Sequence, residues 1–89
     1  MKAIITVLGE DRVGIIAKVS SLLADEGINI LDISQTIMQD VFTMIMLVDI
    51  SGSTSKISDI SEKLDACGKE LGVSITIKHE DLFKSMHRI

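Results

Sequence analysis

Apolar and polar positions along this chain recur with two periods, and the changes of period divide it into six segments and a tail. Residues 2–9 carry Ile4, Ile5, Val7 and Leu8, apolar on both sides of a pleat, which is the pattern of a central strand. Next, Ile15, Ile16, Val19, Leu22 and Leu23 fall on one helical stripe, with Lys18, Ser21 and Asp25 facing out. The pattern predicts a helix that starts after Asp11 or Arg12, runs to about Glu26, and is closed by Gly27 in the left-handed conformation. Residues 29–38 alternate: Leu31, Ile33 and Ile37 line one face, interrupted by Gln35, while Asp32, Ser34 and Thr36 line the other. That suits an edge or interface strand. Gln39-Asp40 is a two-residue turn candidate without the glycine such turns favour.

Residues 41–50, with Phe42, Met44, Ile45, Met46, Leu47 and Val48, read as a second central strand. The run Ser51-Gly52-Ser53-Thr54-Ser55 is a loop rich in N-cap candidates. A second helix follows to about Leu71, carrying Ile57, Ile60, Leu64, Cys67 and Leu71, with Gly72 as its terminator. Val73, Ile75 and Ile77 then alternate with Ser74, Thr76 and Lys78 in a half-exposed edge strand. From residue 80 on, Leu82, Phe83, Met86 and Ile89 fall at helical spacing, which predicts a short amphipathic tail helix over 80–89.

The order is βαββαβ, a split βαβ arrangement with strands one and three central and strands two and four at the edges. Right-handed crossovers put both helices on one face of the sheet. The other face is then uncovered, and Met44 and Met46, or their strand neighbours, would expose apolar surface unless a second subunit or the tail packs there.

Composition narrows the function classes. The 89 residues provide one domain, residues 1–89, with a single modest core. Phe42 and Phe83 are the only aromatic residues, so that core is aliphatic and there is no stacking platform for bases. A net charge of −4 without a basic stripe argues against direct nucleic-acid binding. The single Cys67 excludes an internal disulfide or a paired-cysteine metal or redox site, and reads as a small buried apolar residue. His79 and His87 have no ligand set around them at metal spacing, so neither metal nor cofactor is expected. The N-terminal segment reads as neither a signal peptide nor a membrane span, and the expected location is cytoplasmic.

Candidate chemistry gathers at Gly9-Glu10-Asp11-Arg12-Val13-Gly14. The two glycines have phosphate-loop spacing, but Ile15-Ile16 stand where that motif needs Lys and Ser or Thr, so nucleotide triphosphates are rejected. What remains is a helix start whose amides and dipole favour a carboxylate, with Gly14 permitting close approach. Asp11 has two roles open to it, accepting from a ligand ammonium or capping the helix. Arg12 either meets a carboxylate or is a solvated surface residue, and Glu10 is surface charge. No serine or cysteine lies in a nucleophile motif with a base, so catalysis is not expected.

The run from Gly9 to Val19, with Leu22-Leu23-Ala24 and Gly27-Ile28-Asn29-Ile30, resembles the ACT domain. Asp32-Ile33-Ser34-Gln35-Thr36 further resembles the small free-standing ACT proteins of the UPF0237 group, relatives of the glycine-cleavage-system repressor type. The resemblance implies an α+β, ferredoxin-like sandwich, a four-stranded antiparallel sheet with two helices on one face. It also implies a homodimer that binds an amino acid or similar metabolite at the subunit interface and regulates another protein. The contacts it carries over are Asp11, Gly14, Ile15 and Asn29, with Arg12 beside them. Two positions depart from the family pattern: Val13 replaces the usual Pro, and Gly9 stands where some amino-acid-sensing members carry a polar contact residue. The alternatives are an interaction or scaffold module without a ligand and, more remotely, an acylphosphatase-like hydrolase using Arg12.

Overall fold

The structure, a computed structural model, describes residues 1–10 and 13–81. Its elements are β1 (Lys2–Glu10), α1 (Ile15–Asp25), β2 (Asn29–Met38), β3 (Val41–Asp49), α2 (Ile57–Leu71) and β4 (Val73–His79). They form one antiparallel sheet in the order β2-β3-β1-β4. The apolar strands β1 and β3 are central and the alternating strands β2 and β4 are at the edges, as the periodicities predict.

Alternation along the strands divides the sheet into two faces. Ala3, Ile5 and Val7 of β1, Phe42, Met44, Met46 and Val48 of β3, and Ile75 and Ile77 of β4 are buried on the first face. Ile15, Val19 and Leu23 of α1 and Ile60, Leu64 and Cys67 of α2 join them in a single cluster. Both helices therefore cover the same face. This core takes in no buried polar residue among those described, which makes it a purely aliphatic seal plus Phe42. Burial raises the Cys67 thiol above its ordinary range, and the residue behaves as a small hydrophobe.

Among the described residues no helix covers the second face, and it is the strand neighbours of Met44 and Met46 that expose apolar surface there. Met44 and Met46 lie fully buried under the helices, whereas Leu8 and Ile45 point away from them at 49% and 40% exposure.

Three chain reversals have clear local causes. At the end of α1, Gly27 (φ +71°) gives its N–H to Ala24 O, and Ile28 gives its N–H to Leu23 O. This Schellman closure is the ending Gly27 predicts. Gln39 and Asp40 take φ of +49° and +70°, so the β2–β3 hairpin has the left-handed pair of a primed turn without glycine. Gly72 ends α2 at φ +75°. The helix starts differ from expectation. α1 begins at Ile15 with Gly14 as its N-cap, so the capping role considered for Asp11 falls to a residue with no side chain. α2 has Lys56 as its N-cap, because Ser53 Oγ accepts from Ser55 N–H and Ser55 Oγ donates to Glu26 instead.

Glu80 and Asp81 have helical backbone. The rest of the predicted tail helix, with Leu82, Phe83, Met86, His87 and Ile89, lies outside the described residues. No helix among the described residues is long and apolar enough to cross a membrane.

Candidate functional site

The loop after β1 delivers the chain to the start of α1 through Gly14, whose φ of +92° is the left-handed conformation that glycine reaches without strain. A side chain added at Gly14 would meet nothing within 4 Å, so the space in front of it is open. Among the described residues no side chain caps this helix end, and no acidic residue occupies its first turn. The helical ladder begins with Lys18 N–H to Gly14 O at 2.9 Å, which leaves the amides of Ile15, Ile16 and Ala17 without intrahelical acceptors. Their partial positive charge adds to that of the helix dipole.

This first turn opens on a cleft of about 260 Å³ lined by Gly14, Ile15, Ile16 and Ala17, and by Gln35, Ile37 and Phe42 across from them. Register explains the opposite wall. Gln35 pairs with Met44 and Ile37 with Phe42, so both belong to the helix-side set of β2. Helix cover over this end of β2 is partial, and Ile37 is left 56% exposed and Ile16 40%. The cleft therefore combines uncapped amides, one primary amide that both donates and accepts, and apolar walls. That is a receptor for a carboxylate on a small, partly apolar body.

Of the residues singled out in the sequence, Gly14 and Ile15 line this cleft. Asp11 and Arg12 lie outside the described residues. Asn29 is elsewhere in the same chain: it pairs with Asp49, which pairs with Lys2, while Gly9 and Phe42 stand at the other end. Seven residues of β1 separate the two ends, about 23 Å at roughly 3.3 Å per residue. A single subunit thus does not bring Asn29 to Gly14. Gln35 is the wall residue that the sequence pattern presents only as an interruption of an apolar face. That interruption is its signal, because a polar side chain on an otherwise apolar stripe marks a place where something polar is met.

A larger groove of about 510 Å³ runs between α1 and α2 past Lys18, Leu22, Lys63, Cys67 and Glu70. Both of its lysines are already paired: Lys18 pairs with Glu70, which raises the lysine's pKa, and Lys63 pairs with Glu26 at 2.7 Å. It has no uncapped amide to offer. Among the described residues no group of His, Cys, Asp and Glu is placed to hold a metal ion.

The ACT domain profile matches residues 2–78. A UPF0237 protein of Clostridium acetobutylicum is 62% identical over 89 residues, the whole of both chains. Among solved structures, an ACT domain protein from Streptococcus pneumoniae superposes with a TM-score of 0.82 at 42% identity, over 94% of each chain. A putative glycine cleavage system transcriptional repressor does so at 0.75 and 31%, over 86% of this chain and 44% of its own. Sequence, strand order and these likenesses agree, and the chain belongs to the ACT domain family, in its UPF0237 group.

Proposed function

We propose that this chain is a non-catalytic regulatory module of the cytoplasm, which dimerises and binds an amino acid or a similar small carboxylate in the cleft between α1 and β2. The observation that carries the reading is the uncapped first turn of α1, which faces Gln35 across a cleft with apolar walls. The ligand's carboxylate takes the amides of Ile15 to Ala17 and its apolar part rests on Ile37 and Phe42. Arg12 adds charge beside the carboxylate and Asp11 receives the ammonium group. An ACT domain is a regulatory module that binds small molecules, and the resemblance to a repressor-type protein agrees with a role in controlling another protein.

Dimerisation is supported by where apolar surface is left bare. Among the described residues, the exposed Leu31, Ile33, Ile37 and Met38 lie on β2, and Val41, Ile45 and Ile16 lie beside it. β2 is a ten-residue edge strand with one charged residue, Asp32, and such an edge is a template for pairing. Antiparallel pairing of β2 with its copy reverses the partner strand. Asn29 of the partner subunit then comes to the end of the sheet where Gly14 lies, and the two subunits complete the cleft together.

Isothermal titration against the twenty proteinogenic amino acids tests this reading. A saturable heat with at least one of them is expected, weakened about tenfold or more in Gln35→Leu and in Arg12→Ala, the loss of one hydrogen bond or charge contact. No heat with any amino acid would leave an interaction module without this ligand class.

A further inference from the structure

We infer that the ligand of the α1–β2 cleft carries an uncharged aliphatic side chain of about three or four carbons, so that the protein selects valine- and leucine-like amino acids over glycine, hydroxylated and charged ones. The inference rests on the reading proposed above, in which the ligand's carboxylate takes the first-turn amides of α1. It concerns the rest of the ligand. Apart from Gly14 and Gln35, the described lining is apolar: Ile15, Ile16 and Ala17 from α1, Ile37 from β2 and Phe42 from β3. No charged side chain of either sign stands among these described lining residues. Phe42 is 3% exposed and belongs to the core, whereas Ile16 and Ile37 keep much of their surface bare. Register sets Ile37 opposite Phe42. Two isoleucines from different elements thus offer bare apolar surface to one cleft, over a floor that is already packed. An aliphatic side chain laid between them removes that surface from water.

Each competing class is disfavoured for its own reason. Glycine occupies only the amide end and leaves both isoleucines bare. A second charge, as in glutamate or lysine, is drawn against Ile and Phe with no counter-charge among the described lining residues, and its desolvation costs more than the contact contributes. A hydroxyl where valine has a methyl, as in threonine, loses water against the same walls. Apolar pockets reject such a near-isostere by up to about a hundredfold. Size follows from volume. At roughly 30 Å³ per water-sized group, the cleft of about 260 Å³ holds about nine, which is the carboxylate, the amine, Cα and about four side-chain carbons. The space in front of Gly14 is open, so a longer chain runs out towards solvent and gains little more.

Calorimetric titration of the full chain tests the selection with the series glycine, alanine, norvaline, norleucine and 2-aminoheptanoate, and with valine, threonine, leucine, glutamate and lysine. Affinity is expected to rise by up to about fourfold for each added carbon, the equivalent of about 0.8 kcal/mol per buried methylene, and to level off beyond norleucine. Valine should bind about tenfold or more tighter than threonine. Ile16→Ala and Ile37→Ala should each narrow the leucine-to-alanine affinity ratio severalfold. Both residues are partly exposed, and an unchanged circular dichroism spectrum shows that the variants still fold. The ratio separates a wall from a support, because a merely structural effect weakens both ligands alike. A ratio unchanged in both variants therefore overturns the role given to the isoleucines and the selection with it. An affinity that is flat along the series, or highest for glycine, glutamate or lysine, overturns the selection and leaves the carboxylate reading standing. No heat with any of these ligands overturns both.

Discussion

Gly9 is opposite Val73 in the pairing of β1 with β4, and a Cβ built on it would lie 2.7 Å from Val73 Cγ1 and 3.0 Å from Val73 Cα. Distances that short force a shift, and one of them is to backbone. The close approach of β4 therefore fills the space that a side chain at Gly9 would need, and Gln35 on β2 is the polar side chain that lines the cleft. Gly9→Ala is expected to destabilise the fold by roughly 1–3 kcal/mol, the usual cost of overpacking. Urea unfolding measures it, and Val73→Ala in the same chain should recover only part of the loss, because the close approach to the β4 backbone remains. Gly14 differs in kind: it has open space and a left-handed φ, so its glycine serves backbone conformation and approach.

At the scale of elements, α1 and the loop before α2 are tied through Glu26, which accepts from Lys63 Nζ at 2.7 Å and from Ser55 Oγ at 3.2 Å. Lys63 is the main cause that holds the Glu26 carboxyl below the ordinary range, and Ser55 adds to it. A depressed carboxyl pKa contributes stability above the unfolded pKa, and this contribution is lost as pH falls through the folded value. Asp49, held low chiefly by the Ser51 N–H at 2.9 Å, acts in the same direction. Urea midpoints taken from neutral to acid pH should therefore fall, and those of Glu26→Gln should fall less steeply and converge on wild type in acid. Strand order, helix ends and the core face are legible in the sequence, because period and terminal glycines report them directly. Helix starts are less so. The serines before α2 have competing local bonds, and Gly14 postpones α1 past the charged residues that the pattern places at its start.

For the whole molecule, the candidate site is half legible. Gly14 follows from the loop pattern and Ile15 from the family resemblance, and Gln35 is visible only once register places it across from α1. Asn29 sits at the far end of the sheet in one chain, so its role depends on a second subunit, which no periodicity within a single sequence encodes. The bare Leu8 and Ile45 of the second sheet face follow from alternation alone. The central claim is that the first turn of α1 receives the carboxylate of a small amino acid-like ligand. It is tested most directly by following the backbone amide resonances of Ile15, Ile16 and Ala17 and the side-chain amide of Gln35 during titration with each amino acid. At least one should move all four saturably while those of α2 stay in place. No movement with any of them, or saturable movement confined to another surface, would contradict the claim.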